Sequence, residues 1–341
     1  MLTLREPIVQ APLAGGPSTP ALAAAVSQSG GLGFVAAGYR KPGRVADDIA
    51  AVRFVTDAPF GVNLFVPGRE PVDEAAVARY AQALAAAHPD APLGEPRDDD
   101  DGWDEKLEIV ASERPAVVSF TFGLPDPDVI AGLGSEVWVT VTTPEEAEAA
   151  AAAGADALVV QGAEAGGHRG GASDRPAGDI GLLALLQLVR ARVEIPLIAA
   201  GGIATGRAVA AVLVAGAAAA QLGTAFMLTP EASTSPAQRA ALAAGGRTAL
   251  TRAFTGRTAR GIENAFLREH SAGAPAAYPH VHHLTAPLRA AARERGDAEV
   301  LNLWAGQAHP LAADVPADEL VRRLAADART ALREALDRPA S

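Results

Sequence analysis

The stretch IPLIAAGGIATGRAVAAVLVAGAAAAQLGTAF, residues 195–226, sets two short apolar runs on either side of a helical one. PLIAA (196–200) is a continuous apolar run bounded by glycines, which is how a strand covered on both faces reads. TGRAVAAVLVAGA follows, with Thr205 placed as an N-cap and a glycine near its end. AAQLG (219–223) is then a second strand. A strand, a helix and a strand in that order form a parallel crossover unit.

The same unit recurs along the chain. Further strands are expected at PIVQA (7–11), LGFVA (32–36), FGVNLF (60–65), AVVSF (116–120), VWVTV (137–141) and ALVVQ (157–161). TPALAAAVSQSG opens with Thr19 as N-cap and Pro20 at the first helical position. TPEEAEAAAAAGA repeats the pattern with Thr143, Pro144 and an acidic first turn. Eight strands alternating with helices predict an α/β fold, a (β/α)8 TIM barrel, with a second, smaller, mostly helical domain. The barrel is expected over residues 1–231 and the helical cap over 232–341, its C-terminal part packing back on the barrel. Residues 89–106, rich in Pro, Gly and acid, read as a solvated surface insertion.

The 341 residues carry a formal net charge of −11 and show no Lys/Arg stripe, which argues against a nucleic-acid partner. No apolar run reaches the roughly 18 residues of a membrane span. MLTLREPIVQAP lacks the basic start and apolar run of a signal peptide, so a cytoplasmic location is expected. The chain has no cysteine, which excludes disulfides, thiolate nucleophiles and Cys-ligated metals. Redox chemistry here needs an organic cofactor or another metal.

In a barrel of this kind the site forms where strands end. Those ends read QAPLAGG, then Asn63 and Leu64, then Gln161 and GAEAGGHRGG, then AAGGIATG, then QLGTAF. Glycines and amides dominate, which suits a large, flat ligand with polar edges. Gly201, Gly202, Gly223 and Thr224 fall at the usual phosphate site, where backbone N–H groups can approach an anion unobstructed. Asn63 and Gln161 each offer a donor and an acceptor in one plane and can read an isoalloxazine edge, or else simply close their loops. His168 sits among five glycines of its loop, with little bulk to bury it, and titrates in the range of a general base.

Other features read as structural. HVHH (280–283) has no neighbouring carboxylate and lies beside Pro279 in an expected loop. GGLGFVAAG precedes its strand, so it is no dinucleotide motif. DDDD (98–101) is a solvated run, and no metal site is expected.

PIVQAPLAGG, GVNLF, SFTFGLP, AGADALVVQGAEAGGHRGG, the 195–226 stretch and NLWAGQ, in that order, resemble the nitronate monooxygenase (2-nitropropane dioxygenase) family, class I branch. The resemblance spans residues from about 5 to 325. It implies an FMN-dependent TIM barrel that converts an alkyl nitronate and O2 to a carbonyl product and nitrite. By position it implies FMN contacts at Ala11, Pro12, Leu13, Asn63, Gln161, Gly166 and Gly202. Gln221, Leu222, Gly223 and Thr224 would hold the ribityl and phosphate, beside Gly201. His168 matches the family's catalytic histidine. It would hydrogen-bond the nitro oxygens, take an α-proton from a neutral nitroalkane and, if protonated, attract the anion. Propionate 3-nitronate is the favoured substrate, detoxification the implied role, and the chain a monomer or homodimer. Two departures stand out. Leu13 occupies a position where many relatives have Met, and where relatives often continue after WAGQ with an aromatic and then a basic residue this chain reads AHPLAAD, with His309 and Ala313 in that stretch, which bears on substrate range. Competing readings are an NAD(P)H-dependent flavin reductase on the same scaffold, of quinone or enoyl-acyl-carrier-protein reductase type, and a non-redox phosphate-binding barrel.

Overall fold

The computed structural model describes residues 2–68, 71–174 and 179–337. Eight strands build the barrel: β1 (Ile8–Gln10), β2 (Gly33–Ala36), β3 (Phe60–Phe65), β4 (Val117–Thr121), β5 (Glu136–Val141), β6 (Ala157–Gln161), β8 (Leu197–Ala200) and β9 (Ala219–Leu222). A two-residue strand, β7 (Gly167–His168), interrupts the series. All neighbours are parallel, in the order β1-β9-β8-β6-β5-β4-β3-β2. The ring closes through a parallel bridge between Val9 and Leu32, with Gln10 N–H donating to Leu32 O at 2.9 Å and Leu32 N–H to Ile8 O at 3.0 Å. The near-continuous Val, Ile, Leu and Ala content of these strands follows from burial on both faces.

The helices of the barrel are α1 (Pro20–Gln28), α2 (Pro42–Val55), α4 (Trp103–Glu113), α5 (Pro127–Gly132), α6 (Pro144–Ala152), α7 (Leu182–Arg190) and α8 (Gly206–Val214); α3 (Glu74–Ala87) lies between β3 and α4 in the chain. The three threonines cap as their sequence context requires. Thr19, Thr143 and Thr205 accept from the N–H groups of Leu22, Glu146 and Ala208 at 3.0, 3.2 and 3.2 Å. Each such cap stabilises its helix by about 1 kcal/mol.

The remaining chain holds α9 (Pro236–Ala244), β10 (Thr248–Thr251), β11 (Ala259–Ile262), α10 (Ala265–His270), α11 (His280–Arg295) and α12 (Ala317–Leu336). Two corrections follow. The strand pattern does not stop at residue 231: within the mostly helical remainder, β10 and β11 join β7 of the barrel segment in an antiparallel three-stranded sheet. HVHH does not sit in a loop but opens α11. The expected insertion at 89–106 also runs into α4, where Lys106 is buried and donates to Ala37 O at 3.0 Å while pairing with Asp101 at 2.7 Å.

Two packed cores separate barrel from cap. The cap core joins Phe254, Phe266, Val281, Leu284 and Leu288 to Val77, Tyr80 and Leu84 of α3. The last helix belongs to the barrel. Leu320, Val321, Leu324 and Ala328 of α12 join the barrel core, and the helix lies so close to α8 that a Cβ on Gly206 would meet Asp327 Cβ at 2.3 Å. No helix among the described residues is long and apolar enough to cross a membrane.

Candidate active site

A cavity of about 390 Å3 opens at the C-terminal end of the barrel strands, under the cap. Ala11, Pro12, Leu13, Asn63, Gln161, Gly166, His168, Gly201, Gly202, Gln221, Gly223 and Thr224 all line it. Leu222 does not: its side chain is 1% exposed in the barrel core, and it serves the site through its carbonyl, which accepts from Ala11 N–H at 2.8 Å. Side chains alternate along a strand, so the neighbours of a cavity residue point the other way.

The backbone at the phosphate end is shaped by missing side chains. Gly201 and Gly202 have φ of +113° and +67°, the left-handed region that favours glycine. A Cβ on Gly166 would lie 2.3 Å from Gly306 N, so only glycine lets these two loops meet. His309 stands beside them, 2% exposed, with its Nδ1 donating to Gly306 O at 3.1 Å. Its Nε2 is buried without a partner and the ring lines the cavity. An orphaned ring nitrogen beside bare backbone amides fits a polyol phosphate with both donors and acceptors.

The amides have divided loyalties. Asn63 Nδ2 donates to Ser119 O, Ser119 Oγ and Thr121 Oγ1, at 3.1, 2.9 and 2.9 Å, which leaves Oδ1 for a ligand. Gln161 clamps the glycine-rich loop: its Nε2 donates to His168 O at 3.1 Å and its Oε1 accepts from Gly170 N–H at 2.9 Å. One Nε2 hydrogen remains for a ligand.

His168 hangs between barrel and cap. β7 pairs His168 with Ala259 and Gly167 with Arg260. Arginines supply the hydrogen bonds that this loop's carbonyls lack. Arg169 Nη1 donates to Gly162 O at 2.7 Å, Arg260 Nε to Ala163 O at 3.0 Å, and Arg257 to Arg169 O and Gly171 O. The imidazole itself packs against Phe122, Tyr278 and Trp304, with ring centroids at 5.5, 6.1 and 5.4 Å. Its Nε2 lies 2.9 Å from Thr255 Oγ1, and Thr255 Oγ1 donates onward to Arg257 O at 3.2 Å. That chain puts the imidazole proton on Nε2 and the lone pair on Nδ1, which makes no hydrogen bond among the described residues.

Burial, with Arg257 and Arg289 nearby, pushes the His168 pKa down to about 3. The ring is therefore neutral in ordinary conditions. A protonated His168 attracting an anion is thus not what the surroundings support; the positive charge comes from the arginines. Arg257 lies 4.3 Å over the Phe122 ring.

Several lining residues escaped the sequence reading. Tyr39 and Phe122 follow β2 and β4, so the strand-end rule that found Asn63 and Gln161 applied to them as well. Thr255, His282, Arg289 and Trp304 come from the cap; His282 lies in HVHH, which reads as structural, Trp304 lies in the NLWAGQ motif without a role assigned to it, and no local pattern marks Thr255 or Arg289.

The model of the family described as nitronate monooxygenase matches residues 1–327. A nitronate monooxygenase of Pseudomonas aeruginosa is 44% identical over 96% of this chain and 98% of its own. The chain belongs to the nitronate monooxygenase family. Membership makes it an oxidoreductase, with nitronate oxidation as the family chemistry. Among solved structures, a nitroalkane oxidase from Streptomyces ansochromogenes superposes with a TM-score of 0.94 and 52% identity, covering 98% of each chain. FabK from Thermotoga maritima is more distant, with a TM-score of 0.72 and 26% identity over 98% of this chain and 96% of its own. In this member of the family, one cavity brings together a neutral imidazole, His168, and the arginines Arg289 and Arg293.

Proposed function

We propose that this chain oxidises alkyl nitronates with O2 to a carbonyl product and nitrite, using FMN held in the cavity, and that propionate 3-nitronate is its favoured substrate. The observation that carries the reading is His168, neutral and tethered by Nε2, over a glycine-lined cavity at the barrel's strand ends. When bound, FMN supplies the electron-accepting chemistry and the route to O2. Gly201, Gly202, Gly223 and Thr224 would take its phosphate end through backbone N–H groups. Ala11, Pro12, Leu13 and Gln221 would flank it, with Gly166 leaving room for its approach. Asn63 Oδ1 and the remaining Gln161 hydrogen would address the ring edge.

His168 Nδ1 accepts an α-proton when a neutral nitroalkane enters. With a nitronate, already deprotonated, the imidazole orients the nitro oxygens instead. The arginines stabilise the anion.

Anaerobic mixing of the FMN-loaded protein with propionate 3-nitronate, followed by absorbance, tests this. The expected result is reduction of the flavin by the nitronate and no bleaching by NADPH. The likeness to FabK over nearly the whole chain favours a second reading, a nicotinamide-dependent flavin reductase. Bleaching by NADPH without a nitronate response would establish that reading instead.

A further inference from the structure

A second cavity, of about 300 Å3, lies beside the first, and Tyr39 and His282 line both. Its other walls include Arg40, Lys41, Arg97 and Tyr278. What separates the two spaces is a pair of rings. Tyr39 and His282 stack with centroids 4.3 Å apart and planes 2° apart. The pair is continuous with the reacting end: Tyr278 packs edge-on against both His168 and His282, with centroids at 6.1 and 6.4 Å.

Both rings are held from behind. Tyr39 has φ of +64°, a left-handed conformation that is an outlier for a bulky side chain. Strain of this kind persists only where neighbours fix it, and it gathers at sites that clamp ligands. Here Asp101 Oδ1 accepts from Tyr39 N–H at 2.9 Å, and the same carboxylate pairs with the buried Lys106 at 2.7 Å. The Tyr39 ring also meets Phe65 edge-on, with centroids 5.3 Å apart. His282 is fixed on α11. Its carbonyl accepts from Arg289 Nη2 at 3.0 Å, and the Nε2 of its neighbour His283 lies 3.2 Å from Asp99 Oδ2. DDDD is therefore more than a solvated run. Two of its carboxylates hold the two halves of one wall, Asp101 on the barrel side and Asp99 on the cap side.

We propose that the stacked Tyr39–His282 pair is the end wall of the substrate site and sets the longest tail a nitronate can carry, the second cavity being the space that a longer tail would need. This rests on the nitronate reading above and adds the residues that limit substrate length. The wall acts through the bulk of its rings, and the Tyr39 hydroxyl takes no part.

Removing either ring joins the two cavities. Glycine adopts φ of +64° without strain, so Tyr39→Gly takes away the ring and relaxes the backbone. Alanine suits a helix, so His282→Ala opens the wall from the cap. Retained FMN binding, followed by flavin fluorescence, confirms that each variant is folded.

Two measurements test the wall. The first is the ratio of kcat/KM for the nitronate of 1-nitrooctane to that for the nitronate of 1-nitropropane. It should rise roughly ten-fold or more in Tyr39→Gly and in His282→Ala, through a lower KM for the longer compound, and keep the parent value in Tyr39→Phe. An unchanged ratio in either truncation, or an equal rise in Tyr39→Phe, would overturn the proposal. The second needs no turnover: the FMN-loaded protein is titrated with butyrate and with nonanoate, carboxylates that carry the tails of those two nitronates, and the flavin absorbance is followed. The parent should bind butyrate more tightly than nonanoate, and both truncations should narrow or reverse the difference. Binding of nonanoate by the parent as tightly as butyrate would overturn the proposal even if nitronates are oxidised. If no nitronate is oxidised but the truncations admit nonanoate, the wall stands and the function assigned above falls.

Discussion

What surrounds His168 keeps it in the neutral form that a proton acceptor requires. A histidine in water is half protonated near pH 6.5, and a proton acceptor must be empty to work. Burial under the cap and the arginines at 257 and 289 keep this one empty down to about pH 3. The His168→Gln variant should lose about 10²–10⁴-fold in kcat/KM toward neutral nitroalkanes, the range usual for a lost general base, and distinctly less toward preformed nitronates. Steady-state rates with each form of one compound decide it; equal losses on both would assign His168 to positioning alone. At this scale the sequence was readable where the barrel supplies the residue. Asn63, Gln161 and His168 sit at strand ends, and strand ends announce themselves by a change from apolar run to glycine. His282 and Arg289 sit on a helix, 114 and 121 residues beyond His168 in the chain, and only the docking of the cap brings them over the cavity.

Among elements, the eight barrel strands were legible to within a residue at each end, because burial on both faces writes an unbroken apolar run. The cap strands were not. TALT is four residues long and mostly half-buried, ARGI carries a buried arginine in its middle, and β7 is two residues of a glycine loop. None has the alternation or the run that marks a strand. The glycine turn after β8 is a further case where local shape requires the residue type. A Val at position 202 would need φ near +67°, strained for a β-branched residue, and its Cβ would press on Glu164 Cβ at 3.0 Å. Gly202→Val should weaken FMN binding at least ten-fold, and riboflavin binding by less, since the turn addresses the phosphate. Flavin fluorescence titrations measure both; an equal loss for the two would move the phosphate elsewhere.

For the whole molecule, two half-buried imidazoles make stability depend on pH. His168 and His282 are held neutral by burial and by nearby arginines, with pKa values of about 3 and about 2. In the unfolded chain each titrates near 6.5. Between those values the unfolded state binds more protons, so stability is fully present above about pH 6.5 and is lost progressively as the pH falls toward 3. Thermal unfolding from pH 7 to pH 4 should show the decline, and it should be shallower in His282→Gln. An identical slope in that variant would mean that other groups carry the acid sensitivity.

The pairing of β7 with β11 also sets an order of events during synthesis. The barrel strands and the glycines that would cradle a phosphate are complete by residue 224, while Thr255, Arg257 and the strand that holds His168 come later. A chain emerging from the ribosome therefore carries all eight barrel strands before the residues that fix His168, and the barrel core still waits for α12 to be completed. The late arrival of the cap means that the hydrogen bond from Thr255, the ring contact from Trp304 and the cap-side lining of the cavity all come to His168 together, when the cap docks.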